Sequence, residues 1–220
     1  MKSFSKLFCI FLTSVLCSCD WTYYYDVTSY ILEYVRVDNV SLEGNNGALN
    51  ASRFFIDIYG PHVEFRSVGE DAVLYDSLCR ANNDIGYSGK AGLLADLITD
   101  RIAYYPHIVS IDMFSEMDFD AEHPAGSSLG DIVSLSYCTA SDYVESRYRT
   151  MDPVEYPKMR KLSEIAEKDL RLLINGRHGL YIGPAYFEKS PDNPGEYNMT
   201  IRLTLENGEV CEDTRLFRFE

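Results

Sequence analysis

The most constraining feature of the sequence is a regular alternation of apolar and polar residues near its C-terminal end. Every second residue from Met199 to Leu205 is apolar, and the residues between them are polar. Successive side chains of a β-strand point to opposite faces, so this pattern predicts a strand with one buried face. Asn207-Gly208 follows and tolerates the positive φ angles of a tight hairpin turn, and 210–219 then predicts the returning strand.

Comparable patterns elsewhere bring the total to about seven or eight strands, separated by turn signals such as Gly60-Pro61. Gly183-Pro184 indicates an edge or a bulge within one of them. The other strand candidates are 30–37, Arg53–Tyr59, His62–Val68, Ile108–Phe114, 129–137 and 179–189.

One amphipathic helix is predicted before the last strands, over 157–174, with Gly176 placed to end it. Its apolar face would carry Met159, Leu162, Ile165, Ala166, Leu170 and Leu173. A shorter helix is predicted over 93–102. We therefore expect residues 30–220 to form a single, mostly β domain: an antiparallel β-sandwich, with the immunoglobulin-like type as one candidate and the helix as an insertion.

The N-terminus has the order of an export signal. Lys2 and Lys6 precede the apolar stretch 7–16, and no acidic residue occurs before Asp20. A stretch of about ten residues fits the roughly 7–15 of a signal peptide and is too short for a membrane-spanning helix, which needs about 20. Residues 1–18 are predicted to be this signal.

The cysteines at the end of this stretch indicate which type of signal peptide it is. Leu16-Cys17-Ser18-Cys19 resembles the lipobox of bacterial lipoproteins, in which the cysteine is acylated and becomes the new N-terminus. Cys19 fits better than Cys17 because a small residue, Ser18, precedes it. An ordinary secretory signal is the alternative. Residues 19–29 are assigned to a tether, although the aromatic residues within it could instead begin the first strand.

The charge balance limits the partners. Residues 1–18 hold two of the 20 basic residues and none of the 34 acidic ones, so their removal takes the net charge from −14 to −16. Nucleic acid is not expected as a partner, since phosphate binding needs a positive surface. Electrostatic adsorption to anionic lipid is disfavoured too, so membrane residence would depend on the anchor.

The remaining cysteines, Cys79, Cys138 and Cys211, lack the spacing of a zinc site. Either one pair forms a disulfide, with the pairing open, or all three are unpaired thiols. The four histidines show no metal-binding spacing either. No cofactor is expected.

Gly126-Ser127-Ser128-Leu129-Gly130 matches the G-x-S-x-G nucleophile elbow of serine hydrolases, and His178 is the only histidine after Ser128. An elbow needs a hydrophobic strand directly before the serine, and 118–125 is acidic and contains a proline. The favoured interpretation is a Gly/Ser turn capping a short helix, with Ser128 and Asp131 at capping-box spacing.

Five carboxylates occur within eleven residues, and alternating oxygen ligands suit Ca²⁺. His123-Pro124 stands where the glycine turn of an EF-hand would be, so a solvated acidic loop is the default and a weak calcium site the alternative. The carboxylates are Asp112, Glu116, Asp118, Asp120 and Glu122. The chain also has 17 tyrosines, and pairs such as Tyr104-Tyr105 are interpreted first as core residues and second as a binding platform for a glycan or peptide.

The combined pattern resembles Bacteroidota lipoproteins of unknown function. The segments that carry the resemblance are Ile108–Ile111, Asp118–Asp120, Pro124–Leu129, Asp131-Ile132, Gly183-Pro184, Tyr197–Ile201 and Asn207-Gly208. The resemblance implies a cell-envelope location and no particular activity. Asp76-Ser77-Leu78 also resembles the short O-glycosylation sequence of those bacteria, which matters only if Ser77 is exposed.

The sequence therefore predicts a lipoprotein of the bacterial cell envelope, at the outer membrane or the cell surface, attached to the membrane through Cys19. We expect a non-enzymatic binding or structural module with a protein or glycan partner and no catalytic residues. The alternatives are a small serine hydrolase using Ser128 and His178, and a Ca²⁺-dependent adhesion module.

Overall fold

The computed structural model describes residues 22–44, 53–94, 101–175 and 181–220. These ranges contain fourteen strands and three α-helices. The strands are β1 Thr22–Val27, β2 Glu33–Arg36, β3 Asn39–Gly44, β4 Phe54–Tyr59, β5 His62–Glu64, β6 Gly89–Leu94, β7 Ile102–Tyr105, β8 Ile108–Ser115, β9 Val133–Thr139, β10 Lys158–Lys161, β11 Leu173–Ile174, β12 Tyr181–Phe187, β13 Gly195–Leu205 and β14 Val210–Phe219. The helices are α1 Glu70–Ala81, α2 Ser141–Glu145 and α3 Glu167–Arg171.

Most strands belong to one large curled sheet with the order β3-β4-β12-β9-β11-β7-β2-β5, and β10 pairs with β9 beside this path. The β2–β7 pair is parallel and the other pairs of this sheet are antiparallel. A smaller sheet has the order β14-β13-β8, and its edge strand β14 packs beside β3. The small sheet thus covers one part of the large one, and the expected mostly β, sandwich-like fold is confirmed.

The strand β13 follows its sequence pattern closely. Tyr197, Met199, Ile201, Leu203 and Leu205 are buried, and the residues between them are more exposed. Burial of each large aliphatic side chain contributes about 1.5–3 kcal/mol. The predicted β13–β14 hairpin is confirmed, but its connection runs over 206–209, and of Asn207 and Gly208 only Gly208 has a positive φ, 86°.

The large sheet is buried on both faces at its centre. On β2, Tyr34 belongs to a core cluster beneath α1 and α2, whereas its neighbour Val35 belongs to the main core between the two sheets. The same division separates Ala103 from Ile102 on β7. This is why the first strong strand of the sequence is apolar on both faces.

Five phenylalanines from distant parts of the chain fill one end of the main core. Phe119 stacks on Phe187 with ring centroids 5.6 Å apart and meets Phe219 edge-on at 5.5 Å. Phe54 meets Phe217 edge-on at 5.2 Å. These contacts join β4, β12 and β14 to the loop that carries Phe119.

A two-stranded ribbon, β1–β6, stands apart from both sheets and pairs Thr22 with Leu94 and Val27 with Gly89. The tether assigned to 19–29 is therefore wrong for residues 22–27, which form β1, and the alternative of a first strand is correct there. Residues 19–21 lie outside the described ranges.

The predicted helix over 157–174 is wrong for most of its length. Lys158–Lys161 pairs with β9, Leu162–Glu164 forms a 3-10 turn, and only Glu167–Arg171 is α-helical. Met159, expected on the buried face, is 50 % exposed, because strand pairing rather than a helical stripe organises this segment. Gly176, expected to end the helix, lies outside the described residues.

Three further expectations can be compared with the structure. The helix over 93–102 is wrong at its ends, which belong to β6 and β7, and 95–100 lies outside the described residues. The nine-stranded sheet with a parallel pair differs from the immunoglobulin-like arrangement of two antiparallel sheets. Gly183-Pro184 does form an irregularity, since the β12–β4 register shifts between Ile182 and Ala185.

Candidate functional site: the loop between β8 and β9

The loop 116–132 carries the serine motif and most of the clustered carboxylates. Phe119 anchors it, since this side chain is fully buried among the core phenylalanines. The loop backbone is also attached to the end of β8, because Gly126 N donates to Ser115 O and Leu129 N donates to Met113 O, both at 2.7 Å. The loop is thus a fixed part of the fold.

Ser128 forms an isolated antiparallel bridge with Phe114, between two turns. Its Oγ donates a hydrogen bond to Asp112 Oδ1 (2.6 Å) and accepts one from Gly130 N (3.0 Å). The N–H that follows the nucleophile of a hydrolase stabilises the oxyanion, and here that group, Leu129 N, already donates to Met113 O. A turn does follow Ser128, where Gly130 N donates to the serine hydroxyl, and the hydrolase alternative stays a prediction.

The capping-box part of that interpretation is wrong. No helix begins at Ser128, since the following residues form a turn that leads into β9. Asp131 instead faces His123. His178, the histidine assigned to the hydrolase alternative, lies outside the described residues.

The main electrostatic feature of the loop is a group of charges that we call the His123 cluster: His123, Asp120, Asp131 and Lys189. His123 Nδ1 lies 2.8 Å from Asp120 Oδ1, and its Nε2 lies 3.0 Å from Asp131 Oδ1. Lys189 Nζ lies 2.7 Å from the other oxygen of Asp120, Oδ2. The side chains of His123 and Asp120 are 6 % and 8 % exposed, whereas Asp131 is 59 % exposed.

The cluster favours charged forms. Burial by itself would lower the pKa of His123, but the hydrogen bonds to Asp120 and Asp131 outweigh it and raise that pKa above its usual value. Burial would likewise raise the pKa of Asp120, but Lys189 and His123 lower it well below its usual range. The environment thus favours the imidazolium form of His123, which joins two carboxylates, and Lys189 neutralises the buried one further.

The calcium alternative can be compared with this arrangement. Ligand atoms of Asp120, Glu122 and His123 lie within 4.8 Å of one another, but the Lys189 ammonium already contacts Asp120. The other carboxylates point elsewhere: Asp112 to Ser128, Glu116 to Asn198 Nδ2 (2.9 Å) and Asp118 to Ala125 N (2.8 Å). The five carboxylates do not converge: Asp112 holds the loop serine, and Asp118 holds the loop backbone.

A shallow pocket of about 220 Å³ lies beside Ser128. Its polar lining includes Asp112, Ser128 and Ser163, and its apolar lining includes Ile111, Leu162 and Leu170. Its volume is below the roughly 300 Å³ at which small-molecule sites begin. The pocket thus lacks the size of a deep ligand site.

Several of the tyrosines that the structure describes are core residues, namely Tyr30, Tyr34, Tyr75, Tyr104, Tyr137 and Tyr197. Tyr104 is 4 % exposed and Tyr105 half-buried, so this pair does not form an open platform. A second group, Tyr30, Tyr87, Tyr143 and Tyr148, is joined by edge-on ring contacts at 4.8–5.6 Å. The core interpretation is correct for Tyr104 and Tyr30, and the other tyrosines of the pair and the group are partly buried and pack against the core.

A fully buried carboxylate, Asp84, supports that tyrosine group and was missed by the sequence analysis. It accepts hydrogen bonds from Tyr30 N and Ile31 N, both at 2.8 Å, and from the Tyr148 hydroxyl at 2.9 Å. Burial raises its pKa, and these bonds oppose the rise. An Asn-Asn-Asp stretch after a polar helix gives no sequence signal of burial.

The structure also describes the three cysteines of the domain and Ser77. Cys79 and Cys138 are buried free thiols and Cys211 is a half-buried one, so the unpaired alternative is correct. Ser77 is exposed on α1, which meets the condition set for the glycosylation sequence. Cys19 lies outside the described residues. None of the helices in the described ranges is long and apolar enough to cross a bilayer.

Comparison of the chain with protein families, curated proteins and solved structures found no match. The class of protein is therefore argued from the chain's own residues.

Proposed function

We propose that the chain is a lipoprotein of the bacterial envelope, acylated at Cys19, whose β-rich domain is a non-enzymatic binding or structural module. The observation that carries the proposal is the lipobox-like Leu16–Cys19 after a short apolar stretch. Thr22, the third residue after Cys19, already pairs with Leu94 in β1–β6. The anchor would therefore lead almost directly into folded structure.

The non-enzymatic part of the proposal is supported by the state of Ser128. This residue has the most specific catalytic motif in the sequence, yet its hydroxyl and the two backbone N–H groups after it are engaged in the turn. The neighbouring charges of the His123 cluster neutralise one another instead of facing a substrate cavity. The charged side chains of the His123 cluster and the Ser128 hydroxyl therefore both stabilise the conformation of this loop.

Metabolic labelling with palmitate tests the proposal. We expect the intact chain, expressed in a bacterial host, to incorporate label and to fractionate with membranes. Cys19→Ala should lose both properties, whereas the matched variant Cys17→Ala should keep both. Labelling that persists in Cys19→Ala, or a secreted unlabelled product from the intact chain, would contradict the proposal.

The partner is expected to be a protein or a glycan of the envelope, at the outer membrane or the cell surface. Crosslinking in native envelopes followed by affinity capture would identify it. The acylated protein with Ser128→Ala is the matched control, because a binding module should retain its partner without this hydroxyl. Loss of an esterase activity in the same variant would favour the hydrolase alternative.

A further inference from the structure

A small apolar and aromatic surface lies beside the ribbon β1–β6. The Tyr25 ring meets Phe65 edge-on with centroids 5.9 Å apart, and the Arg66 guanidinium lies 5.8 Å from the centre of each ring. Val68 lies just before α1, and Val73 lies in the first turn of that helix, where Val73 N donates to Gly69 O. We call these five residues the ribbon patch.

Exposure sets the ribbon patch apart. Val68 and Val73 are 83 % and 70 % exposed, the highest values among the large hydrophobic residues that the structure describes, and Tyr25 is 39 % exposed. Val68 and Val73 also occupy the N′ and N4 positions of α1, which are neighbours on a helix surface. Single exposed apolar residues need no explanation, but two at neighbouring helix positions that closely follow Phe65 and Arg66 in the chain do.

Chain length restricts what can cover this patch. Tyr25 is the sixth residue after Cys19, and six extended residues span at most about 20 Å. A lipid on Cys19 would therefore keep Tyr25 within about 20 Å of the bilayer, while Thr22 would lie within about 10 Å. Tethering at such a distance gives a high effective concentration, so weak contacts suffice for docking.

We propose that the ribbon patch docks on the surface of the bilayer that holds the anchor, and that this contact orients the domain. The inference rests on the proposed acylation of Cys19. Tyrosine suits the interface, where its ring lies among the headgroups, whereas the Arg66 side chain is 26 % exposed and its guanidinium lies 3.4 Å from Glu64 Oε1. Glu64, Glu70 and Asp71 lie close by in the sequence, so a zwitterionic surface fits better than an anionic one.

The test uses the acylated full-length protein in phosphatidylcholine vesicles with brominated acyl chains, which quench tryptophan fluorescence on contact. Trp21 is the only tryptophan and would be replaced by Phe. The reporter Val68→Trp is then compared with Leu216→Trp. Leu216 is 53 % exposed on β14, which packs beside β3, whereas the patch adjoins β5, and β3 and β5 end the large sheet on opposite sides.

We expect brominated lipid to quench Val68→Trp at least twofold more than Leu216→Trp. Adding Val73→Asp should reduce the quenching of Val68→Trp, whereas the matched exposed change Val210→Asp should leave it unchanged. Equal quenching of the two reporters in vesicles that carry the protein overturns docking and leaves the anchor intact. Failure of the protein to float with vesicles overturns the anchor and the docking together.

Discussion

His123→Gln is the most informative single change, because it removes the charge at the centre of the His123 cluster. Of its two contacts, the one to Asp120 joins groups that are 6 % and 8 % exposed, so it has the strength of a buried, charge-assisted hydrogen bond, about 1.5–3 kcal/mol. The contact to Asp131, which is 59 % exposed, adds at most about 1 kcal/mol after solvent screening. We expect His123→Gln to lower the free energy of unfolding by about 2–3 kcal/mol near pH 6.

The pH dependence follows from the directions of the two pKa shifts. The pKa of His123 is raised on folding, so its contribution is complete below the unfolded value of about 6.5 and is lost as the pH rises through the folded value. The pKa of Asp120 is lowered, so its contribution is present above about pH 4 and is lost as the pH falls through the folded value. The effect of His123→Gln should therefore be largest near pH 5–6 and smaller at pH 9.

Urea unfolding of the wild type and of His123→Gln at pH 6 and pH 9 measures this difference. Asp131→Asn is the matched control, with an expected loss below about 1 kcal/mol because that carboxylate is exposed. A destabilisation by His123→Gln that is equal at the two pH values would refute the reasoning, since His123 would then keep the same charge in the folded protein at pH 6 and pH 9.

Three further outcomes are expected. Phe119→Ala should lower the free energy of unfolding by about 3–5 kcal/mol in urea, because the ring is fully buried, and a loss below about 1 kcal/mol would mean that the loop is not anchored there. Millimolar Ca²⁺ should not raise the melting temperature, because Lys189 contacts the Asp120 carboxylate, and a rise that grows with calcium concentration would restore the calcium alternative. A thiol reagent at pH 8 should modify the half-buried Cys211 first. Cys79 and Cys138 should react only on unfolding, since burial raises the pKa of each to about 11, and equal rates for all three thiols would contradict their burial.

The C-terminal hairpin was predictable because its signals are local. Alternation over Met199–Leu205 determines which side chains are buried, and Asn207-Gly208 determines where the chain turns. Both signals act within a few residues, so no knowledge of distant partners is needed.

The helices were less predictable because few of their side chains are buried. In α1 only Tyr75 and Cys79 are buried, which leaves a stripe of two residues, and Gly69 provides no side-chain cap. In 157–174 the apolar spacing was helical, but β9 offered an edge to Lys158–Lys161. A short stretch of sequence does not show which strand it will pair with. Pairing with such a strand can outweigh a weak helical periodicity of apolar residues.

The residue types of the candidate site were predictable, but the contacts between them were not. The sequence identified the carboxylates and the turn at Ser128. It could not reveal that His123 would take Asp131 as a partner or that Lys189, two residues after β12, would reach Asp120. Ion pairs between separate segments follow from the fold, and their residue types alone suggest a metal site equally well.

The pairing of β8 with β13 has a consequence for the order of events in folding. Met113 lies opposite Ile201, and Phe54 contacts Phe217, so both the small sheet and the phenylalanine cluster join early and late parts of the chain. Such long-range topologies fold slowly, over about milliseconds to seconds, because loop closure precedes any gain from contact. A nascent chain that lacks β13 and β14 cannot close its main core. The domain therefore acquires its structure late, after nearly all of its strands have been synthesised.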